Sequence, residues 1–163
     1  MSLTAAGLIA VAISFVLFIT AAVWYAAPWM KRQPLVIALS LPLWVHAFRY
    51  VALQVFSAQA FGLRISDSLA NEIAWGDVAG AALAFAALWL LRRGSRAAIP
   101  MIWLFVVETI VDLVNATIMG IRERAAETAF ATTWLILDLY VPLLWVTLGL
   151  VVWRMVSQRR VPS

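Results

Sequence analysis

The sequence contains no cysteine, one lysine and one histidine among its 163 residues, and each scarcity excludes a kind of chemistry. Without cysteine there are no disulfides, thiolate metal sites, Fe–S clusters or cysteine nucleophiles. Lys31, the single lysine, lies at the edge of an apolar stretch, which excludes a buried retinal-type Schiff base. His46, the single histidine, excludes a haem held by two histidines of one chain. Retinal, Fe–S clusters and intrachain bis-His haem are therefore excluded, and the sequence specifies no other cofactor.

Charge is also scarce. Asp, Glu, Lys and Arg make up 12% of the chain and hydrophobic residues 65%, against about 45–50% apolar residues in an average soluble domain. With a mean hydropathy of +0.96, a soluble domain of this length would expose an insoluble apolar surface. A soluble enzyme, a secreted disulfide scaffold, a disordered chain and a coiled coil are excluded. The composition predicts a polytopic integral membrane protein, whose first partner is the lipid bilayer.

Five apolar stretches reach the ~20 residues that a helix needs to cross a hydrocarbon core of ~30 Å. They are Leu3–Trp29, Pro34–Phe61, Ile73–Leu91, Ala97–Gly120 and Thr128–Val156. Their connectors are short, which favours an up-down bundle in which consecutive helices are neighbours. No repeat, low-complexity tract or linker interrupts the chain. The sequence therefore predicts an all-α, five-transmembrane-helix bundle that forms a single domain over residues 1–163.

Basic residues are distributed unevenly between the two sides of this predicted bundle. Eight fall on one side, namely Lys31, Arg32, Arg92, Arg93, Arg96, Arg154, Arg159 and Arg160. The other side receives Arg64, Arg122 and Arg124, diluted by Asp67, Glu72, Glu123 and Glu127. Because cytoplasmic loops are enriched in Lys and Arg, we predict a multi-pass protein of the cell inner membrane with its N-terminus outside and its C-terminus in the cytoplasm. The net charge of +4 then mostly reflects topology, and no nucleic-acid partner is predicted.

Six ionisable side chains fall inside the predicted spans, where each costs about 2.5–3.5 kcal/mol on insertion scales. They are His46, Arg49, Asp77, Glu108, Asp112 and Asp138. His46 and Arg49 share a face of the second helix because their spacing is i, i+3. On the fourth helix, Glu108, Asp112 and Asn115 form one stripe with the spacing i, i+4, i+7. Counted from the loops, these stripes and the two remaining aspartates lie at similar depth, which predicts one convergent polar pocket in the outer half of the bilayer.

Two tryptophans and two prolines lie close to this predicted pocket. Trp44 and Trp145 fall near the middle of their spans, whereas the other seven tryptophans suit an interfacial aromatic belt. The two central tryptophans serve either helix packing or the apolar wall of a ligand pocket. Pro42 and Pro142 each remove a backbone N–H four residues from a pocket side chain. The carbonyl group that loses its partner at Asp138 is a candidate coordinating group.

Small residues form a ridge on the third helix. Gly76 and Gly80 flank Asp77, and Ala84 and Ala87 continue the pattern. Such a ridge allows another helix to approach closely, either inside the bundle or in a homo-oligomer. The interior is favoured because Asp77 should face protein rather than lipid.

The charges of the predicted pocket do not balance. Four acids face one arginine and one histidine, so full ionisation would leave two or three uncompensated negative charges in a low-dielectric interior. Either some acids are protonated, or a cation occupies the pocket. A structural interpretation stays open beside this one. In it, Arg49 pairs with Asp112 or Asp77, and Asn115 and Gln54 complete a hydrogen-bond network that locks the bundle.

Three classes of function fit the predicted pocket. The first is a protein that binds or transports a small molecule, a cation or protons. Its ligand-binding residues would be His46, Arg49, Asp77, Glu108, Asp112, Asn115, Asp138, Trp44 and Trp145. The second is an intramembrane enzyme in which Glu108, Asp112 or His46 is the general acid or base on a lipid or isoprenoid-like substrate, and Arg49 fixes an anionic group. The third is an accessory subunit whose polar network is structural.

The candidate residues differ in how firmly the spacing specifies them. Arg49, Asp112 and His46 are the strongest, since each shares a helix face with another polar group. Asp138 is the weakest, because a small rotation of the fifth helix would turn it towards a different neighbour. No metal site is predicted, because Glu108 and Asp112 lack a second histidine partner. The sequence leaves the ligand, the existence of an enzymatic activity and the oligomeric state open.

Overall fold

The computed structural model describes residues 3–129 and 131–158. Within these residues the chain is helical, and five helices are long and apolar enough to cross a membrane. Their ranges are Ala5–Arg32 (α1), Leu35–Ala60 (α2), Asp67–Arg92 (α3), Ala98–Arg122 (α4) and Thr132–Ser157 (α5). The helical backbone begins at Leu3 in α1 and extends to Gln158 in α5. The predicted all-α class and its five apolar helices are confirmed, and Arg159 and Arg160, counted on the basic side, lie outside the described residues.

Prolines explain two irregular turns in these helices. The backbone widens into a π-helical turn over Ala22–Ala26 in α1 and over Ile136–Tyr140 in α5. Each turn lies just before a proline, Pro28 in the first case and Pro142 in the second. A proline has no N–H, and its ring clashes with the carbonyl four residues earlier, so the preceding turn loses its regular α-helical hydrogen bond. A third irregularity, a 3-10 stretch over Phe48–Leu53 in α2, contains no proline.

The beginning of α3 lies six residues before the predicted one, at Asp67 instead of Ile73. Ser66 caps the helix, because its side-chain oxygen accepts a hydrogen bond of 3.1 Å from the backbone N–H of Leu69. This early start places Glu72, assigned to a loop by the sequence, on the helix itself. For α5 the predicted start, Thr128, lies four residues before the observed one, Thr132. Thr128 instead ends a separate short helix, Ala125–Thr128.

The order of helices in space differs from their order in the chain. α2 packs against α3 and α3 against α4, but α5 lies against both α1 and α2, giving the spatial order α1, α5, α2, α3, α4. Consecutive helices pack closely for α2 with α3 and for α3 with α4 but only weakly for α4 with α5, and α1 meets α2 mainly near their connector. A short connector fixes only where the next helix begins. Which helix it packs against is decided by its apolar faces, and α5 buries Leu144, Leu148 and Val151 in the common core.

Small side chains allow α3 to pack closely between α2 and α4. Gly80, Ala84 and Ala87 are buried, and the two alanines are fully enclosed in the core with Leu39 and Phe105. The absence of larger side chains lets α2 and α4 approach α3 on two sides. The small-residue ridge thus serves the interior of this chain, the first of its two predicted uses.

Opposite ends of the bundle are held by different contacts. At one end Arg154 donates from Nε to the carbonyl of Met30 at 3.2 Å and from Nη2 to that of Gln33 at 3.0 Å. At the other end lies what we call the interloop contact, in which the backbone N–H and the hydroxyl of Ser66 donate to the carboxylate of Glu123 at 2.7 and 2.5 Å. These bonds favour the ionised carboxylate and hold the pKa of Glu123 below its ordinary value of 4.5.

Candidate functional site

Arg49 is the centre of the buried polar residues. Its side chain is 0% exposed, which is unusual for arginine and requires partners for the guanidinium. Nε donates to Oδ1 of Asp77 at 2.6 Å, Nη1 donates to Oγ1 of Thr109 at 3.1 Å, and Nη2 donates to Oδ2 of Asp112. One side chain of α2 is therefore bonded to α3 through Asp77 and to α4 through Thr109 and Asp112. We call these four residues the Arg49 cluster.

Two glycines of α3 make room for this cluster. A Cβ atom placed on Gly80 would overlap Nη1 of Arg49, and one on Gly76 would overlap Oδ1 of Asp112. The glycines are therefore required for space, since the neighbouring atoms are a buried guanidinium and a carboxylate bonded to it. Oδ1 of Asp112 packs against Gly76 and has no hydrogen-bond partner within the described part of the chain.

The predicted stripe on α4 faces α3 along its whole length. Its first member, Glu108, lies opposite Gly80, and its Oε2 accepts a hydrogen bond of 3.1 Å from the hydroxyl of Thr109. The second member, Asp112, lies opposite Gly76. The third, Asn115, donates from Nδ2 to Oε1 of Glu72. Residue numbers rise along α4 while those of the facing residues on α3 fall, so the two helices are antiparallel. The polar side chains of α4 pack against the small residues of α3.

A cavity of about 120 Å³ lies beside the Arg49 cluster, between α2, α3, α4 and α5. Asp77 and Asp112 contribute to its wall, and the side chain of Asp77 is the more exposed of the two, at 17% against 8%. Most of the remaining wall is apolar, with Leu113, Ile136 and Leu144 among its residues. The cavity extends towards the end of the bundle that carries the interloop contact, since Leu63, Ile65 and Ala125 also line it.

His46 lies apart from the Arg49 cluster. It is fully buried, its Nε2 is 3.2 Å from Oγ1 of Thr147 on α5, and its ring meets Phe105 edge to face with centroids 4.9 Å apart. The spacing correctly placed His46 and Arg49 on the buried side of α2. It could not show that the two side chains turn to different neighbours, α5 and α3 respectively.

Asp138 also lies apart from the Arg49 cluster. Its carboxylate faces α1, where a Cβ atom on Gly7 would be 3.5 Å from Oδ1 and 3.9 Å from Nε1 of Trp134. Oδ2 is buried without a hydrogen-bond partner in the described ranges. The prediction that Asp138 converges with the other acids is therefore wrong. The side of α5 that faces the cavity is formed by Ile136, Leu137 and Tyr140 of the same turn, and Asp138 lies on the side that meets α1.

Four further predicted polar and aromatic residues lie outside the cluster. Trp44 is 40% exposed and contacts Phe48 and Phe85 with ring centroids 6.1 Å apart in each case. Trp145 packs against the common core. Neither tryptophan is part of the cavity wall. Asn115 is bonded to Glu72, and Gln54 accepts a hydrogen bond of 3.0 Å from Thr132 while lining the cavity.

Three residues of the candidate site were not predicted from the sequence. Thr109 lies three residues before Asp112, so helical spacing already placed it on the same face. Tyr140 lines the cavity and donates its hydroxyl to the carbonyl of Val45 at 2.7 Å. Thr133 is buried in the cavity wall, and its hydroxyl has no partner among the described residues. Hydroxyl groups carry no charge, so they were not counted among the costly residues within the membrane.

The described side chains include no group of three or more His, Cys, Asp or Glu that could hold a metal ion. His46 and Asp138 lie against α5 and α1 respectively, apart from Glu108 and Asp112. What the geometry provides instead is a small and mostly apolar cavity with two carboxylates, Asp77 and Asp112, in its wall, both of them bonded to Arg49.

The fold and the Arg49 cluster define a class of protein: a helical chain with five membrane-length apolar helices and a buried polar centre between three of them. Residues 6–156 match the family described as "Domain of unknown function (DUF8737)". Because this match covers most of the chain, the protein belongs to that family. No curated protein and no solved structure shows a significant match to the chain.

Proposed function

We propose that this chain is an integral membrane protein that binds a small cationic molecule in the cavity beside Asp77 and Asp112. The observation that supports this proposal is the wall of the cavity itself. Two carboxylates contribute to it, whereas Arg49 is the single cation bonded to them among the described residues. Glu108 adds a third carboxyl group behind Thr109. One further positive charge would therefore improve the balance of the site.

The size and polarity of the cavity define the class of ligand. A cavity of about 150 Å³ in another protein accommodates benzene, so one of about 120 Å³ suits a compact molecule of that size or smaller. Its apolar walls favour a short hydrocarbon body, and Asp77 favours an ammonium group at one end. A small primary amine has both features. Protonation of the carboxylates without any ligand is the competing way to balance the charge, and the experiment below distinguishes the two.

The orientation that we propose has the N-terminus outside and the C-terminus in the cytoplasm of a cell with an inner membrane. It rests on the excess of Lys and Arg at the end where Arg154 bonds α1. The cavity, which extends towards the opposite end, would then open in the outer half of the bilayer. A ligand would reach it from outside the cell.

An enzyme that uses Arg49 to hold an anionic substrate is less well supported. The guanidinium is fully enclosed and donates from all three of its nitrogens to Asp77, Thr109 and Asp112. Glu108, a candidate acid or base, is not part of the cavity wall. A purely structural role for the Arg49 cluster is the stronger alternative, because these bonds join three helices.

The test is ligand-dependent thermal stability of the protein in nanodiscs, measured with ethylammonium and propylammonium and with the neutral alcohols of matching size. A ligand at 100 times its Kd stabilises the folded state by about 2.7 kcal/mol. We expect the amines to raise Tm of the wild type and the alcohols to have little effect. Asp77→Asn should abolish the response because it removes the negative charge at the wall.

A cavity-filling variant separates binding from stability. Ala116→Leu fills the cavity and keeps every member of the Arg49 cluster, whereas Ala82→Leu adds the same side chain at an exposed position on α3. The amine response should disappear in the first variant and persist in the second. Equal responses to amines and alcohols, or no response of the wild type to either, would contradict the proposal and favour the structural role.

A further inference from the structure

A second and larger recess lies on the other side of α5, away from the Arg49 cluster. It is a groove of about 810 Å³ between α1 on one side and α2 and α5 on the other, with Phe18, Leu41 and Val146 among its walls. α1 is attached to the bundle on either side of this groove: Gly7 packs at Asp138, and Met30 accepts a hydrogen bond from Arg154. Between these attachments α1 stays in contact with α5, and the groove opens beside this contact.

The local sequence of α1 explains the open space. Ala22 and Ala26 bound the π-helical turn that precedes Pro28, and both line the groove. The proline prevents a regular α-helical turn here, and the alanine side chains are too short to fill the gap. Trp24 and Tyr25, at the rim, are 67% and 71% exposed. In a membrane this apolar recess would be in contact with hydrocarbon rather than water.

A single charge marks one end of the groove. Arg32 is the only charged side chain among the described residues that line it, and it lies in the last turn of α1. The basic neighbours of Arg32 have contacts within the chain, since Lys31 lies over the ring of Trp153 and Arg154 bonds two carbonyls. Arg32 itself makes no hydrogen bond or ion pair within the ranges that the structure describes.

The groove is long enough to cross one leaflet. From Phe18 to Arg32 the groove follows α1 over a helical rise of about 21 Å, which exceeds the ~15 Å depth of half a hydrocarbon core. Its charged end is at the helix terminus, where lipid phosphates lie, and its apolar part continues towards the bilayer centre. We propose that the groove is a binding site for one anionic phospholipid, with the phosphate at Arg32 and an acyl chain along Ala22 and Ala26.

The experiment compares phosphatidylglycerol with phosphatidylcholine of identical acyl chains, both added to the detergent-extracted protein and counted by native mass spectrometry. One basic residue at a membrane surface corresponds to about a fivefold preference for the anionic lipid. Arg32→Gln should reduce that preference to near parity. Arg92→Gln, an exposed basic residue outside the groove, should leave it unchanged. Equal losses in both variants would show general surface attraction and overturn the proposal.

A separate measurement tests whether the acyl chain occupies the groove. Ala26→Trp should lower retention of both lipids, because the larger ring fills the groove, while Ala82→Trp on α3 should not. A phosphatidylglycerol with a photoactivatable acyl chain checks the wild type independently of any variant. We expect its crosslinks on α1 near Trp24 and on α5 near Val146. Crosslinks confined to α3 and α4, or a second copy of the chain in place of bound lipid, would overturn the assignment.

Discussion

The balance of charge around Arg49 is the most sensitive feature at the scale of single residues. Replacing Arg49 by Met would leave the buried Asp112 and the half-buried Asp77 without their shared cation. Removal of one partner from a buried ion pair costs about 3–5 kcal/mol. We therefore expect Arg49→Met to lower the free energy of unfolding in detergent by that amount.

Part of the stability lost in Arg49→Met should be recovered when the two acids are neutralised as well. Combining Arg49→Met with Asp77→Asn and Asp112→Asn removes the unpaired charges, so the triple variant should be more stable than the single one. Arg64→Gln, on an exposed loop residue, is the control and should be close to neutral. A single variant as stable as the wild type would show that the cluster does not hold the helices together.

The glycines of α3 give a second prediction at the residue scale. Gly80→Ala places a Cβ atom against Nη1 of Arg49, and overpacking of this kind costs about 1–3 kcal/mol. Gly149→Ala on α5 is the matched control, since nothing lies within 4 Å of its added atom. Because alanine favours helix over glycine by up to about 1 kcal/mol, the control should be neutral or stabilising. Thermal unfolding of the two variants under identical conditions decides the comparison, and equal Tm values would show that Gly80 is not required for space.

At the scale of elements, the interloop contact joins the segment before α3 to the end of α4. Hydrogen bonds from Ser66 lower the pKa of Glu123, so this carboxylate contributes stability above the ordinary value of 4.5. That contribution is lost as the pH falls through the lowered pKa of the folded protein. Since Leu63 and Ile65 line the cavity just beside Ser66, acidification should loosen the loop that closes this end.

The NMR signal of the Ser66 amide provides the measurement, because this N–H donates to Glu123. Its chemical shift should titrate with a midpoint below 4.5. Glu123→Gln should abolish the transition, and Glu127→Gln, on the neighbouring short helix, should preserve it. A transition that survives in Glu123→Gln would assign the titration to another group.

At the scale of the whole molecule, the absence of cysteine makes the proposed orientation simple to test. Ser68→Cys introduces a thiol near the interloop contact, and Ala97→Cys introduces one at the basic end; both positions are exposed. A membrane-impermeant maleimide should label the first in intact cells and the second only after permeabilisation. The opposite pattern would reverse the orientation and place the cavity in the inner half of the bilayer.

Composition and spacing determined the class of this protein and the faces of its helices. Long apolar runs predict membrane-length helices because a hydrocarbon core cannot satisfy an irregular backbone. Helical spacing likewise placed Glu108, Asp112 and Asn115 on one face, and this face does meet α3. Such inferences succeed because they depend on the helical repeat and on the energy of burying a charge. Both are properties of one segment of the chain.

Only the tertiary structure decided which faces meet. Arg49 turns to α3 and α4 while His46 turns to α5, although the two residues share one side of α2. Asp138 faces α1 while Ile136 and Tyr140 of the same turn face the cavity, and α5 itself packs between α1 and α2. These outcomes depend on the packing of side chains from distant parts of the chain, such as the space left by Gly76 and Gly80, and a spacing rule within one helix contains no information about them.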